Sequence, residues 1–77
     1  MTTGLVLIKL TPKEETSALD GVKKISGVNG VTGTFGSWDA VATVEAKDLE
    51  TLAQVVVSNI RAIRGVANTE TLIEVKI

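Results

Sequence analysis

One short stretch of the chain gathers most of its recognition chemistry. Gly33, Thr34, Phe35, Gly36, Ser37, Trp38 and Asp39 bring together the only phenylalanine, the only tryptophan and a carboxylate. Gly36-Ser37 fits a two-residue hairpin turn whose first central position takes a positive φ. Backbone N–H groups are free at such a turn and receive an anion, while a neighbouring carboxylate receives a cation. A zwitterionic small molecule suits both: its ammonium meets Asp39 and its carboxylate meets the turn. Phe35 and Trp38 offer either a recognition surface or packing in a core or an interface, and residue type alone leaves both readings open. Thr69 and Thr71 put two hydroxyls on one strand face, although paired threonines are also ordinary strand formers. On this reading Asp39 serves the ligand and is dispensable for the fold.

Other chemistry finds little support. With no cysteine and no histidine, the candidate nucleophiles and bases shrink to Ser, Thr, Lys and carboxylates, none set in a recognisable motif. The carboxylates fall mostly at helix starts or on the polar side of strands, where capping and solvation explain them. Gly30, Gly33 and Gly36 lie in a strand and its turn, not ahead of a helix, so they do not form a phosphate loop. The expectation is a protein without catalytic residues, metal or cofactor.

The elements that must position the hairpin follow from periodicity. Leu5 to Leu10 is an apolar run broken only by Lys9, the mark of a buried strand. Thr11 is placed to cap a helix, with Pro12 first in it and Glu14 completing a capping box. Ala18, Leu19, Val22 and Ile25 keep the helical period, and Gly27 suits the left-handed exit. Val28 to Phe35 and Trp38 to Ala46 then read as a hairpin, with Ala40, Ala42 and Val44 alternating against Val41 and Thr43 in its second strand. Asp48 caps a second helix in which Leu49, Leu52, Ala53, Val56, Ile60 and Ile63 recur, and Arg61 and Arg64 favour its negative end. Three consecutive valines, Val55 to Val57, pull weakly towards strand. Gly65 ends this helix, and Val66 to Ile77 supplies a fourth strand.

Ile25-Ser26-Gly27-Val28 is echoed by Ile63-Arg64-Gly65-Val66. Two β-α-β units joined by a hairpin make an α+β, ferredoxin-like βαββαβ sandwich: a four-stranded antiparallel sheet with two helices on one face. The other face, apolar in the first strand, then needs cover. At 77 residues the chain is one domain with a small core, and without disulfides or metal the remaining route to stability is oligomerisation. We therefore expect a sheet-to-sheet homodimer. Eight basic against nine acidic residues, with no basic block, argue against direct nucleic-acid binding. No apolar stretch approaches bilayer length and no leader opens the chain, so a cytoplasmic protein with no membrane association is expected.

Val31 to Val41, V-T-G-T-F-G-S-W-D-A-V, followed by Ile63 to Thr71, I-R-G-V-A-N-T-E-T, resembles the regulatory, ligand-binding (RAM) domain of the Lrp/AsnC feast/famine family of transcription regulators. That family shows a G-x-[aromatic]-D hairpin and an I-P-G-V run followed by T-x-T. The resemblance covers essentially residues 1–77. It implies a dimeric α/β barrel, often assembled into a tetramer of dimers, with an amino-acid effector between dimers. Carried over by position, it assigns ligand binding to Gly36, Ser37, Trp38, Asp39, Thr69 and Thr71. Arg64 stands where the family has proline, and Trp38 where it commonly has tyrosine or phenylalanine. Full-length members place a helix-turn-helix domain before this module; with a strand inside the first five residues, the expectation is a stand-alone domain that modulates a full-length regulator of the family, the alternatives being a small dimeric α/β-barrel enzyme and a purely structural oligomer without ligand.

Overall fold

In a computed structural model describing residues 1–75, the chain forms β1 (Thr2–Leu10), α1 (Glu15–Lys23), β2 (Val28–Gly33), β3 (Ala40–Ala46), α2 (Leu49–Gln54) with a π-helical continuation Val55–Ile60, and β4 (Val66–Ile73). The strands make one antiparallel sheet in the order β2-β3-β1-β4. This is the βαββαβ ferredoxin-like plan. The part of the expected fourth strand at Lys76 and Ile77 lies outside the described residues.

Register decides which side chains meet the helices. Val6 stands between Ala42 and Thr71, and Ile8 between Ala40 and Thr69. The inward set is Val6, Ile8 and Leu10 with Ala40, Ala42, Val44 and Ala46, closed from above by Ala18, Val22, Leu52, Val56 and Ile60. Small residues on β3 let the helices approach closely, since a core at native density has no room for larger ones there. The opposite register puts Leu5, Leu7, Val41 and Leu72 on the other face, adjoined by Thr43. No helix covers them, and Leu5 and Leu72 remain about half exposed.

The echoed Ile-x-Gly-Val segments take matching geometry. Gly27 and Gly65 have φ of 97° and 100°, in the left-handed region that glycine enters without penalty. Val28 N–H donates to Ile25 C=O and Val66 N–H to Ile63 C=O, at 3.1 and 3.2 Å. Each glycine carbonyl then accepts from a neighbouring strand or its end: Glu45 N–H to Gly27 and Thr11 N–H to Gly65, both at 2.8 Å.

Three details depart from expectation. Thr11 does not cap α1: its N–H is held by Gly65, Glu14 N–H turns back to Thr11 C=O at 3.0 Å, and Lys13 has φ 73°. The helix begins after Glu14, which makes no side-chain cap, because the chain is tied to the end of β4 first. The hairpin is wider than Gly36-Ser37 predicts, since pairing stops at Gly33 opposite Ala40 and Thr34 N–H reaches Asp39 C=O at 2.9 Å. Finally, Leu49 and Ala53 are exposed and the inward line of the second helix is Leu52, Val56 and Ile60. A step of four residues overshoots an α-helical turn by about 40°. The wider π-turn undershoots it, so switching after Gln54 keeps all three pointing at the sheet.

Asp48 caps α2 as expected, accepting from Thr51 N–H at 2.8 Å. Hydrogen bonding from the Thr51 side chain and then its backbone holds the Asp48 carboxyl below the usual aspartate value. Its folded pKa is the lower one, so the cap is fully present above the unfolded value and fades as pH falls through the folded value. Asp48→Ala should lower Tm at pH 7 and lose that effect as the pH falls through the lowered folded pKa. At Gly65 a Cβ would sit 2.9 Å from Ala18 Cβ and 3.1 Å from Glu14 O. Gly65→Ala should therefore cost about 2–4 kcal/mol from crowding and backbone strain together, measured by urea unfolding; a change under 0.5 kcal/mol would contradict this role.

Candidate functional site

The hairpin tip is fixed at its base and open at its end. Asp39 N–H donates to Ile8 C=O at 2.9 Å, and one Asp39 carboxylate oxygen, Oδ2, accepts from Leu10 N–H at 2.8 Å. Pairing between β1 and β3 has ended there, so this side chain supplies the acceptor that the ladder no longer provides. Thr34 Oγ1 donates to Trp38 C=O at 2.7 Å, and Lys9 Nζ to Ser37 C=O at 3.1 Å. Gly36 has φ 110°, and neither it nor Ser37 donates its N–H to a described residue. Trp38 and Asp39 are half-buried, whereas Phe35 stands wholly in solvent. Phe35 is thus no part of this chain's own core, and Asp39 has a structural duty beyond any ligand role.

Thr69 and Thr71 lie elsewhere. Both are on the helix-facing register of β4, the outer strand of the sheet, across from Ile8 and Val6. They form one wall of a groove of about 340 Å³ between β4 and the second helix. Leu52, Val56 and Val57 make the facing wall, and Arg61 also lines it. None of Gly36, Ser37, Trp38 and Asp39 borders this groove. The hairpin attaches on the β3 side of β1 and the threonines on the β4 side, so a single chain holds the expected site residues as two separate places.

The groove and Arg61 were not legible beforehand. The three valines and the two arginines read separately as a weak strand signal and a helix-end charge; in the folded chain Val56, Val57 and Arg61 border the same groove. Among the described residues, no group of three or more Cys, Asp or Glu could hold a metal ion, and no polar or charged residue is buried. Several carboxylates have structural partners: Glu14 with Arg64 at 2.7 Å, Glu45 with Asn29, and Asp48 with Thr51. No helix among the described residues is long and apolar enough to cross a membrane.

The described residues thus form an antiparallel α+β sandwich with one bare sheet face, a groove at its β4 edge and an open hairpin tip. The family model for the Lrp/AsnC ligand-binding domain matches residues 3–77, and the chain belongs to that family. An uncharacterized HTH-type transcriptional regulator of Pyrococcus abyssi is 32% identical over 75 residues, covering 94% of this chain and 50% of that protein. The chain thus spans about half the length of the curated relatives it matches. A Thermus thermophilus protein of known structure superposes with a TM-score of 0.93 at 32% identity, over 100% of this chain and 96% of that one. The Neisseria meningitidis transcriptional regulator solved with L-methionine shares the fold, with a TM-score of 0.86 at 13% identity over 97% of this chain and 50% of that one.

Asp39 yields the test for this part of the molecule. Asp39→Ala leaves the Leu10 N–H unpaired in a part-buried position and should cost about 1–3 kcal/mol. Asp39→Asn keeps an acceptor oxygen while removing the charge, and should retain most of that stability in urea unfolding. Equal stability of all three proteins would show that the Leu10 contact contributes nothing.

Proposed function

We propose that this chain is a non-catalytic, cytoplasmic regulatory module that binds a small amino acid and transmits its presence through assembly. The observation carrying this reading is the division of the expected site: the hairpin Gly36 to Asp39 and the Thr69–Thr71 groove stand apart in one chain. Contact between copies would bring the hairpin of one to the groove of another. Free N–H groups at Gly36 and Ser37, the second Asp39 oxygen and two threonine hydroxyls supply the donors and acceptors an α-amino acid needs. Family membership and the methionine complex of the Neisseria regulator support an amino acid as the effector class.

The assembly begins at the bare sheet face. Leu5, Leu7, Val41 and Leu72 form an apolar patch flanked by Lys9, Glu45 and Glu70, as expected of an interface with an apolar centre and a polar rim. A two-fold pairing of this face makes the homodimer, and further contacts through hairpins and grooves make a tetramer of dimers. The net charge of −1 gives no footprint for direct DNA binding, so regulation would pass through a full-length Lrp/AsnC regulator with which the module co-assembles.

Thermal denaturation in the presence of each of the twenty amino acids tests the proposal. An effector at about 100 times its Kd should stabilise the folded state by roughly 2.7 kcal/mol. Identical melting with all twenty would overturn it.

A further inference from the structure

We infer that Asn29 is a site of self-modification, where the main-chain nitrogen of Gly30 displaces ammonia from the Asn29 side chain and water completes its conversion to an aspartyl or isoaspartyl residue. The inference stands apart from the effector-binding function and needs no second copy. Three observations carry it. Of the three asparagines in the chain, only Asn29 is followed by glycine. Asn29 is also the extra residue of a β-bulge on β2, an outer strand of the sheet, since Val28 pairs with Val44 and Gly30 with the adjacent Thr43. A bulged residue has no partner opposite it, so the ladder does not hold its backbone to sheet geometry. Finally, Asn29 and Gly30 are both exposed, and a Cβ at Gly30 would meet nothing within 4 Å.

The reaction requires the Gly30 nitrogen to reach Asn29 Cγ. A side chain on the following residue would crowd that approach and restrict the backbone, whereas glycine does neither. Gly30 N–H gives up its proton, the nitrogen bonds to Cγ, and the Cγ–Nδ2 bond breaks as the amide takes up a proton and leaves as ammonia. Water then opens the cyclic imide at either carbonyl. One opening restores the original main chain with an aspartate; the other routes the main chain through the former side chain as isoaspartate. An open hollow of about 310 Å³, lined by Lys23, Val28, Asn29, Gly30 and Val31, admits that water. The other asparagines are set differently. Asn59 precedes Ile60, which is fully buried in the π-helical segment, and Asn68 precedes Thr69, whose N–H already donates to Asn68 Oδ1 at 2.9 Å. Both following residues are β-branched and stiff.

The product meets a like charge in the folded chain. Asn29 Nδ2 donates to Glu45 Oε1 on β3; a carboxylate in its place has no hydrogen to give and faces a second carboxylate across the strands. Isoaspartate also lengthens the main chain where β2 begins to pair with β3. Both products therefore loosen β2, the strand that leads into the hairpin at Thr34 to Asp39.

Peptide mapping by mass spectrometry, after incubation of the folded chain at mildly alkaline pH, tests the site. Asn29 should lose its amide at least tenfold faster than Asn59 or Asn68, and Gly30→Ala and Asn29→Gln should each slow the loss at position 29 at least tenfold. Circular dichroism confirms that both variants keep the fold. Conversion of Asn29 no faster than of the other two asparagines, an unchanged rate in Gly30→Ala, or conversion only after urea has unfolded the chain overturns the inference. Asn29→Asp, equivalent to the normally linked product, should melt below the natural chain at pH 7, and adding Glu45→Gln should recover part of the difference. Melting of Asn29→Asp at the temperature of the natural chain overturns the consequence for β2.

Discussion

The arrangement of the whole molecule depends on how each helix is returned to the sheet. A helix lying on a sheet must end in a tight reversal if the next strand is to start beneath it, and Gly27 and Gly65 provide that reversal through left-handed backbone. Their carbonyls add the second half of the constraint, since each takes an N–H from a neighbouring strand or its end. Helix exit, strand entry and strand end are thereby fastened at one point, twice. At Gly65 the fit is closest, with Ala18 and Glu14 packed against the position a side chain would fill.

With both helices fastened on the same side, the core is one-sided. Ala40, Ala42, Val44, Val6 and Ile8 are fully covered, while Leu5, Leu7, Val41 and Leu72 on the reverse have no helix to meet. An 8.1 kDa chain has little other apolar surface to sacrifice, because small domains bury a smaller fraction of their area than large ones. The same fastening leaves β4 at the sheet edge, with the second helix set back from it far enough to open the groove. Bare face and groove are thus two results of one packing choice, and in the proposed function both are completed by another copy.

Features set by local sequence were legible before the fold was known. The alternation of Ala40, Ala42 and Val44, the Asp48 cap and the paired Ile-x-Gly-Val segments depend on neighbours within a few residues, so the sheet, its helices and their order could be read directly. What escaped depends on distant partners. Thr11 has the right type and spacing for a cap, but Gly65, far along the chain, claims its N–H. Asp39 looks like a ligand carboxylate because nothing nearby reveals that Leu10 needs an acceptor. Arg61 reads as a helix-end charge because nothing near it in sequence shows that β4 lies across from it, and the π-turn answers the need to keep Leu52, Val56 and Ile60 in line above a sheet. The hairpin and the threonines could each be singled out from residue type and spacing; their separation within one chain could not, since it follows from strand order.

In the proposed function a second copy covers the bare sheet face of this chain. Sedimentation equilibrium of the natural chain beside Leu7→Glu, which puts a charge in the middle of the bare face, tests that claim most directly. The proposed assembly predicts a species of at least twice the 8.1 kDa chain mass for the natural protein at micromolar concentration, and a folded monomer for Leu7→Glu. A natural chain that remains monomeric at hundreds of micromolar, or a Leu7→Glu variant that associates equally well, would contradict it.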